Sequence, residues 1–173
     1  MNNLVLIGMP ACGKSTAGVL LAKTLGFEFI DSDLVIQKRE NCLLSELIER
    51  KGIDGFIESE RDANCSIRAE KSIISTGGSV VYCDETMQYL KELGAVIYLR
   101  LSYKSIHKRL GDIPVSRGVV VRRGKNLKDL YDERTPLYEK YADYIVDCEG
   151  QTVEETVQAL YNLYMTKIKG KVK

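Results

Sequence analysis

The chain has 173 residues, 28% of them charged, with 25 Lys and Arg against 24 Asp and Glu for a net charge of +1. That length suits one domain with a sizeable core, and the composition is ordinary for a soluble globular protein. A near-neutral balance gives no general pull toward nucleic acid or a membrane surface, and no apolar run is long enough to span a bilayer.

Leu4 to Ile7 is a short apolar run that reads as a buried strand, and Thr16 to Leu25 has helical periodicity. Between them stands Gly8-Met9-Pro10-Ala11-Cys12-Gly13-Lys14-Ser15, the pattern G-x-x-x-x-G-K-[ST] in the strand–loop–helix setting it needs. Its glycines let successive N–H groups face phosphate oxygens, and the helix N-terminus adds partial positive charge. Lys14 would reach the β/γ-phosphates and Ser15 would ligate Mg²⁺. Phe27 to Ile30 is a second strand after Gly26, a helix C-cap candidate. It runs into Asp31-Ser32-Asp33, two carboxylates at a strand's C-terminal end, where ligands bind in open α/β sheets. They read as metal and acceptor groups, or, more plainly, as a helix N-cap.

Helical pieces follow at Leu34–Arg39 and Leu44–Lys51, then a charged, mostly helical stretch from Gly52 to Glu70. Its Glu58, Glu60, Arg61, Asp62, Arg68 and Glu70 read mainly as a solvated face. Ser72–Ser75 is a third strand ending in Thr76-Gly77-Gly78-Ser79, where glycines allow a close ligand approach or a tight turn. Asp84–Leu93 is an amphipathic helix, Ala95–Leu99 a fourth strand and Ser102–Leu110 another helix. Residues 111–124 hold three Gly, one Pro and three Arg without a period, which suggests an arginine-bearing mobile lid with a short strand at Val119–Val121. Lys125–Lys140 returns to helix, with a kink or break expected at Pro136. Tyr144–Val146 is a fifth strand and Thr152–Ile168 a closing helix. Strands alternating with helices predict a parallel sheet with helices on both faces.

Five cysteines (Cys12, Cys42, Cys65, Cys83, Cys148), odd in number and without a C-x-x-C pair, argue against a disulfide framework and for a reducing cytosol. The N-terminus shows no secretory pattern. Cys12, beside a helix N-terminus and Lys14, is either a reactive thiol or a small residue that fits the loop. His107 reads as exposed, and the basic tail Lys167, Lys169, Lys171 and Lys173 as a solvated end.

In this order the motifs make the chain resemble the shikimate kinase family over nearly its whole length. The resemblance runs from the P-loop through Phe29-Ile30-Asp31-Ser32-Asp33 and Ser75-Thr76-Gly77-Gly78 to Arg134-Thr135-Pro136-Leu137-Tyr138. It implies a three-layer P-loop NTPase fold, α/β, with five parallel strands in the order 2-3-1-4-5. It implies one kinase domain over residues 1–173, with an acceptor-binding region at about 33–61 and the lid at about 111–124. The implied reaction moves the γ-phosphate of ATP, with Mg²⁺, to the 3-hydroxyl of shikimate, in a cytoplasmic monomer acting on a small molecule. Carried over by position, Gly8, Ala11, Cys12, Gly13, Lys14, Ser15 and Thr16 hold the nucleotide, Arg109 stacks on adenine, and Ser15 and Asp31 serve the metal. Asp33 is the candidate general base, Lys14 and Arg117 neutralise the transferring phosphoryl, and Gly77, Gly78 and Arg134 bind the acceptor.

Departures from the family pattern bear on the acceptor. Ala11 stands at a usual glycine, which is tolerable if its φ is negative. Ser79 replaces a third glycine, and Val119 follows Arg117-Gly118 where a proline is favoured after the arginine. Ile57 stands where the family has an arginine for the acceptor's carboxylate, so charge and fork geometry are both lost there. Arg61, four residues on, would share its helix face and replace the contact. Otherwise the acceptor is another small hydroxy acid or polyol. A nucleotide-binding sensor without turnover, and a nucleoside monophosphate or gluconate-type kinase, are further readings; Arg39 and Arg50 alone offer little to a second nucleotide.

Overall fold

The computed structural model describes residues 3–111 and 124–170. The lid expectation, its short strand and Arg117 lie outside them.

Five strands, β1 (Leu4–Ile7), β2 (Glu28–Asp31), β3 (Ser72–Ser75), β4 (Ala95–Arg100) and β5 (Tyr144–Asp147), form one parallel sheet in the order β2-β3-β1-β4-β5. β1 lies in the middle, with Leu4 beside Ile73 of β3 and Ala95 of β4. All four of its residues are fully buried, which is why it reads as a continuous apolar run rather than an alternating one. The chain leaves β1 toward β2 and β3 on one side and later builds β4 and β5 on the other. That reversal opens a crevice at the strands' C-terminal ends, where the P-loop, Asp31 and Thr76 emerge.

The helices are α1 (Lys14–Leu25), α2 (Ser32–Glu40), α3 (Leu44–Ser66), α4 (Asp84–Leu93), α5 (Tyr103–Leu110), α6 (Leu127–Tyr141) and α7 (Val153–Leu163). They cover both faces of the sheet, with α1 against α7 on one side and α6 against β4. Several ends follow the capping rules. Gly26 closes α1 in the left-handed region, and Ser102, Asn126 and Thr152 cap α5, α6 and α7 with their side chains. Asn3 ties three segments together: its amide donates to the Ala69 and Leu93 carbonyls and its oxygen accepts from the Ser72 N–H. Among the described residues no helix is long and apolar enough to cross a membrane.

Three details differ from the sequence expectation. α3 runs from Leu44 through Gly52 to Ser66, with one non-helical residue, Gly52 at φ 71°, bending the chain between its two parts. It stops before Ile67 rather than reaching Glu70. Pro136 does not end α6: the carbonyl it leaves without an N–H partner belongs to exposed Asp132, where water can satisfy it. Finally, the last turn of the closing helix, Tyr164–Ile168, is wound as a π-helix.

α2 and α3 have a small core of their own, Ile36, Leu47, Phe56 and Ala63, separate from the main cluster around the sheet. This unit stands beside the crevice and supplies one wall of the site.

Candidate active site

Gly13 takes φ 103° and turns the loop into α1, so Lys14 is the first helical residue. A side chain there would be strained, which explains the glycine. Lys14 is only 7% exposed, and its Nζ donates to the carbonyls of Gly8 at 2.9 Å and Met9 at 3.0 Å. The loop thus holds its own ammonium in place. Cys12 is buried beneath it, its Sγ 3.8 Å from that Nζ, and packs as part of the main core. Ala11 takes φ 62°, in the left-handed region and not at the negative value that sequence reasoning required. The loop's path at this point is a glycine path, and alanine follows it at a steric cost.

The Ser15 hydroxyl donates to Asp31 Oδ2 at 2.9 Å and meets the Ser75 hydroxyl at 3.1 Å. Asp31 Oδ1 accepts from the Asp33 N–H at 3.0 Å, so Asp31 is also the N-cap of α2. The plain cap reading therefore holds for Asp31, and Asp33 is left to face the crevice. Among the described residues no cluster of three or more His, Cys, Asp or Glu could hold a metal by itself. The Ser15–Asp31 pair is a set of hard oxygens at the end of a phosphate loop. It fits a Mg²⁺ that keeps waters and phosphate oxygens for its other positions.

A cleft of about 290 Å³ joins the two halves of the site. On the loop side it is lined by Pro10, Ala11, Gly13, Lys14, Ser15 and Thr16. On the other side stand Asp33 from α2, Phe56 and Glu60 from α3, the turn Thr76 to Ser79, and Arg134 from α6, with Leu110 at the rim. Arg134 is 1% exposed, its Nε donates to the Tyr82 hydroxyl at 3.1 Å, and its guanidinium lies over the Tyr82 ring. Tyr138, one turn on, donates to the Gly78 carbonyl at 2.6 Å and stacks on Tyr98. Gly77 and Gly78 are bare for a reason. A Cβ on Gly77 would stand 2.5 Å from Glu60 Oε1 and 3.0 Å from Asp33 Oδ1. One on Gly78 would stand 3.0 Å from Arg134 Nη1 and from Pro10.

The carboxyls carry the site's electrostatics. Burial pushes Asp33 up to about 6, with Asp31 adding to the effect and Lys14 opposing it. Burial pushes Glu60 up to about 7; the Ser79 hydrogen bond opposes this, Asp33 adds to it, and Arg134 opposes it.

Sequence reasoning placed Glu60 on a solvated face, and the structure buries it at 2% exposure. The signal was there: Phe56, Ser59, Glu60, Ala63 and Asn64 recur at helical spacing and are the buried face of α3. Arg61, one residue on, is not brought to the cleft. Its Nε and Nη2 donate to Asp62 Oδ1 at 3.0 and 2.8 Å, and its side chain is 38% exposed. Ile57 is half-buried and outside the cleft lining as well. The Ile57–Arg61 face points aside, and the Phe56–Glu60 face does the lining. Arg109 of α5 stands against the P-loop. Its Nη1 donates to the Ala11 carbonyl at 3.1 Å, and it lines a hollow of about 40 Å³ with Cys12, Cys148 and residues 151–153.

The arrangement brings a phosphate-loop lysine, the Ser15 hydroxyl that binds Asp31, two raised carboxyls and a buried arginine into one cleft. That is the equipment for moving a phosphoryl group to a hydroxyl. A sequence model of the shikimate kinase family matches residues 10–164. The shikimate kinase of Thermodesulfovibrio yellowstonii is 38% identical over 173 residues, 99% of each chain. That of Clostridium botulinum is 40% identical over 159 residues, 90% of this chain and 93% of the relative. The structure of shikimate kinase from Acinetobacter baumannii in complex with shikimate superposes with a TM-score of 0.85 at 27% identity, covering 98% of this chain and 96% of that one. The chain belongs to the shikimate kinase family, phosphotransferases that act on an alcohol group.

Proposed function

We propose that this chain transfers the γ-phosphate of ATP to a hydroxyl of shikimate, as one monomeric domain over residues 1–173. The observation that carries the reading is the single cleft in which Lys14, Asp33, Glu60 and Arg134 meet. An acceptor with one carboxylate and several hydroxyls matches that wall: Arg134 meets the carboxylate, and Asp33 and Glu60 accept from hydroxyls. Arg134 is preorganised for the task by Tyr82, so little side-chain freedom is lost on binding. With Ile57 and Arg61 outside the cleft, Arg134 carries the carboxylate contact among the described residues.

Phosphoryl transfer needs positioning and charge neutralisation more than covalent help. Gly8, Gly13 and the α1 N-terminus face the phosphates, and Lys14 sets its charge beside them. Ser15 and Asp31 would hold Mg²⁺, which neutralises phosphate charge when bound. Asp33 takes the proton of the attacking hydroxyl as that oxygen bonds to the γ-phosphorus and the bond to the ADP oxygen breaks. With a pKa of about 6 it is mostly ionised at neutral pH yet still basic enough to accept that proton. Arg109 and its hollow receive the adenine, and Arg117, outside the described residues, is the further cation that family resemblance assigns to the transferring group.

The test is ADP release with ATP and Mg²⁺ against shikimate, a panel of other small hydroxy acids and polyols, and no acceptor. Shikimate is expected to be turned over with the highest kcat/KM. A polyol or a different hydroxy acid in first place would overturn the substrate and keep the chemistry. Tight ATP binding with no turnover on any acceptor would point to a sensor.

A further inference from the structure

Ser79 follows the double glycine and opens the 3₁₀ turn Val80–Tyr82. It is 4% exposed, and its hydroxyl donates to Glu60 Oε1 at 2.9 Å. Among the described residues this is the only hydrogen bond to the Glu60 carboxylate. The same Oε1 lies against the bare Gly77 backbone, 2.5 Å from where a Cβ would stand. One carboxylate oxygen is therefore clamped between a hydroxyl and a glycine. A glycine at position 79, the residue that family resemblance leads one to expect, has no hydroxyl to offer.

We propose that Ser79 is a positioning residue for acceptor recognition: it fixes Oε1 of Glu60 so that the second carboxylate oxygen is presented to the acceptor's hydroxyls. The inference rests on the shikimate reading for its substrate, but the Ser79–Glu60 link stands on geometry alone. A hydrogen bond to a buried carboxylate favours its charged form. The other charged neighbours of Glu60 are Asp33 from α2, which disfavours that charge, and Arg134 from α6, which favours it. In the turn itself Tyr82 is engaged with Arg134, and Glu85 of α4 acts on Arg61 on the other face of α3. Among the described residues Ser79 is thus the one neutral group that opposes the burial-driven rise of Glu60 and favours its charged form.

The experiment pairs a titration with kinetics on the full chain. The Glu60 carboxyl is followed by carbon-detected NMR in the wild type and in Ser79→Ala, which removes only a hydroxyl. Its midpoint is expected to rise by about one pH unit, the scale of one lost hydrogen bond to a charged group. Ser79→Thr keeps the donor and restores the midpoint. In ADP-release kinetics Ser79→Ala raises the shikimate KM about tenfold, more than it lowers kcat. In a Glu60→Gln background the same substitution changes KM by less than about twofold, because the partner is gone. An unmoved midpoint, or an equal KM loss in both backgrounds, would overturn the proposal. If the wild type does not turn over shikimate, the functional reading fails, and the carboxyl titration alone still decides the role of Ser79.

Discussion

At the scale of single residues the site is a set of constrained choices. Ala11 sits at φ 62°, a conformation that costs an L-residue about 1–2 kcal/mol, offset in part by the extra freedom glycine loses on folding. Ala11→Gly is expected to stabilise the chain by about 0.5–1 kcal/mol in urea unfolding; a loss of stability would show that the loop relaxes to a negative φ in solution. Glu60 is the larger lever. Its folded pKa, about 7, lies above the ordinary carboxylate value of 4.5, so the native state holds the proton longer. Stability from this group is therefore complete below pH 4.5 and lost as pH rises through 7. Glu60→Gln removes that loss. The difference in unfolding free energy between the variant and the wild type should shift in favour of the variant by up to about 3 kcal/mol between pH 4.5 and 8. A difference that stays flat with pH would mean Glu60 is solvated.

At the scale of elements, the proposed acceptor wall depends on the small α2–α3 core. Phe56 is 1% exposed and belongs both to that core and to the cleft. Phe56→Ala should cost about 3–5 kcal/mol and raise the acceptor KM while ATP affinity changes little, because the P-loop packs in the other cluster. Equal losses for both substrates would contradict that division. Asn3 is a second element-level test. Removing its side chain leaves the buried Ser72 N–H without a partner, so Asn3→Ala is expected to cost about 1–3 kcal/mol in thermal or urea unfolding, with no specific effect on KM. β1 and β4 were legible because buried parallel strands are continuous apolar runs, and α4 was legible at both ends because Asp84 and Gly94 mark it. α3 was harder. No proline or glycine marks its stop at Ser66, and Gly52 interrupts it by φ alone.

At the scale of the whole molecule, the strand reversal around β1 sets everything else. It gathers the ends of β1, β2 and β3 at one edge, so a loop, Asp33 and a glycine turn far apart in sequence share one crevice. Local motifs carried the nucleotide half of the site into the sequence reading, since Lys14 and Ser15 stand in one contiguous loop and Asp31 ends the next strand. The acceptor half was less legible for a physical reason. Whether Glu60 or Arg61 faces the cleft is a matter of 100° of helix rotation, set by how α3 docks on its own small core. Charge counting alone cannot register that, whereas the Phe56–Ala63 periodicity can.

The central claim is that Arg134 meets the acceptor's carboxylate while Asp33 and Glu60 of the same wall accept from its hydroxyls. The most direct measurement compares kcat/KM for shikimate with that for the same hydroxylated ring lacking the carboxylate, in the wild type with ATP and Mg²⁺. Loss of a charge-assisted contact to the carboxylate predicts a preference for shikimate of about a hundredfold or more. A ratio near one would contradict the account, because it would mean that the carboxylate lies outside the Arg134 pocket.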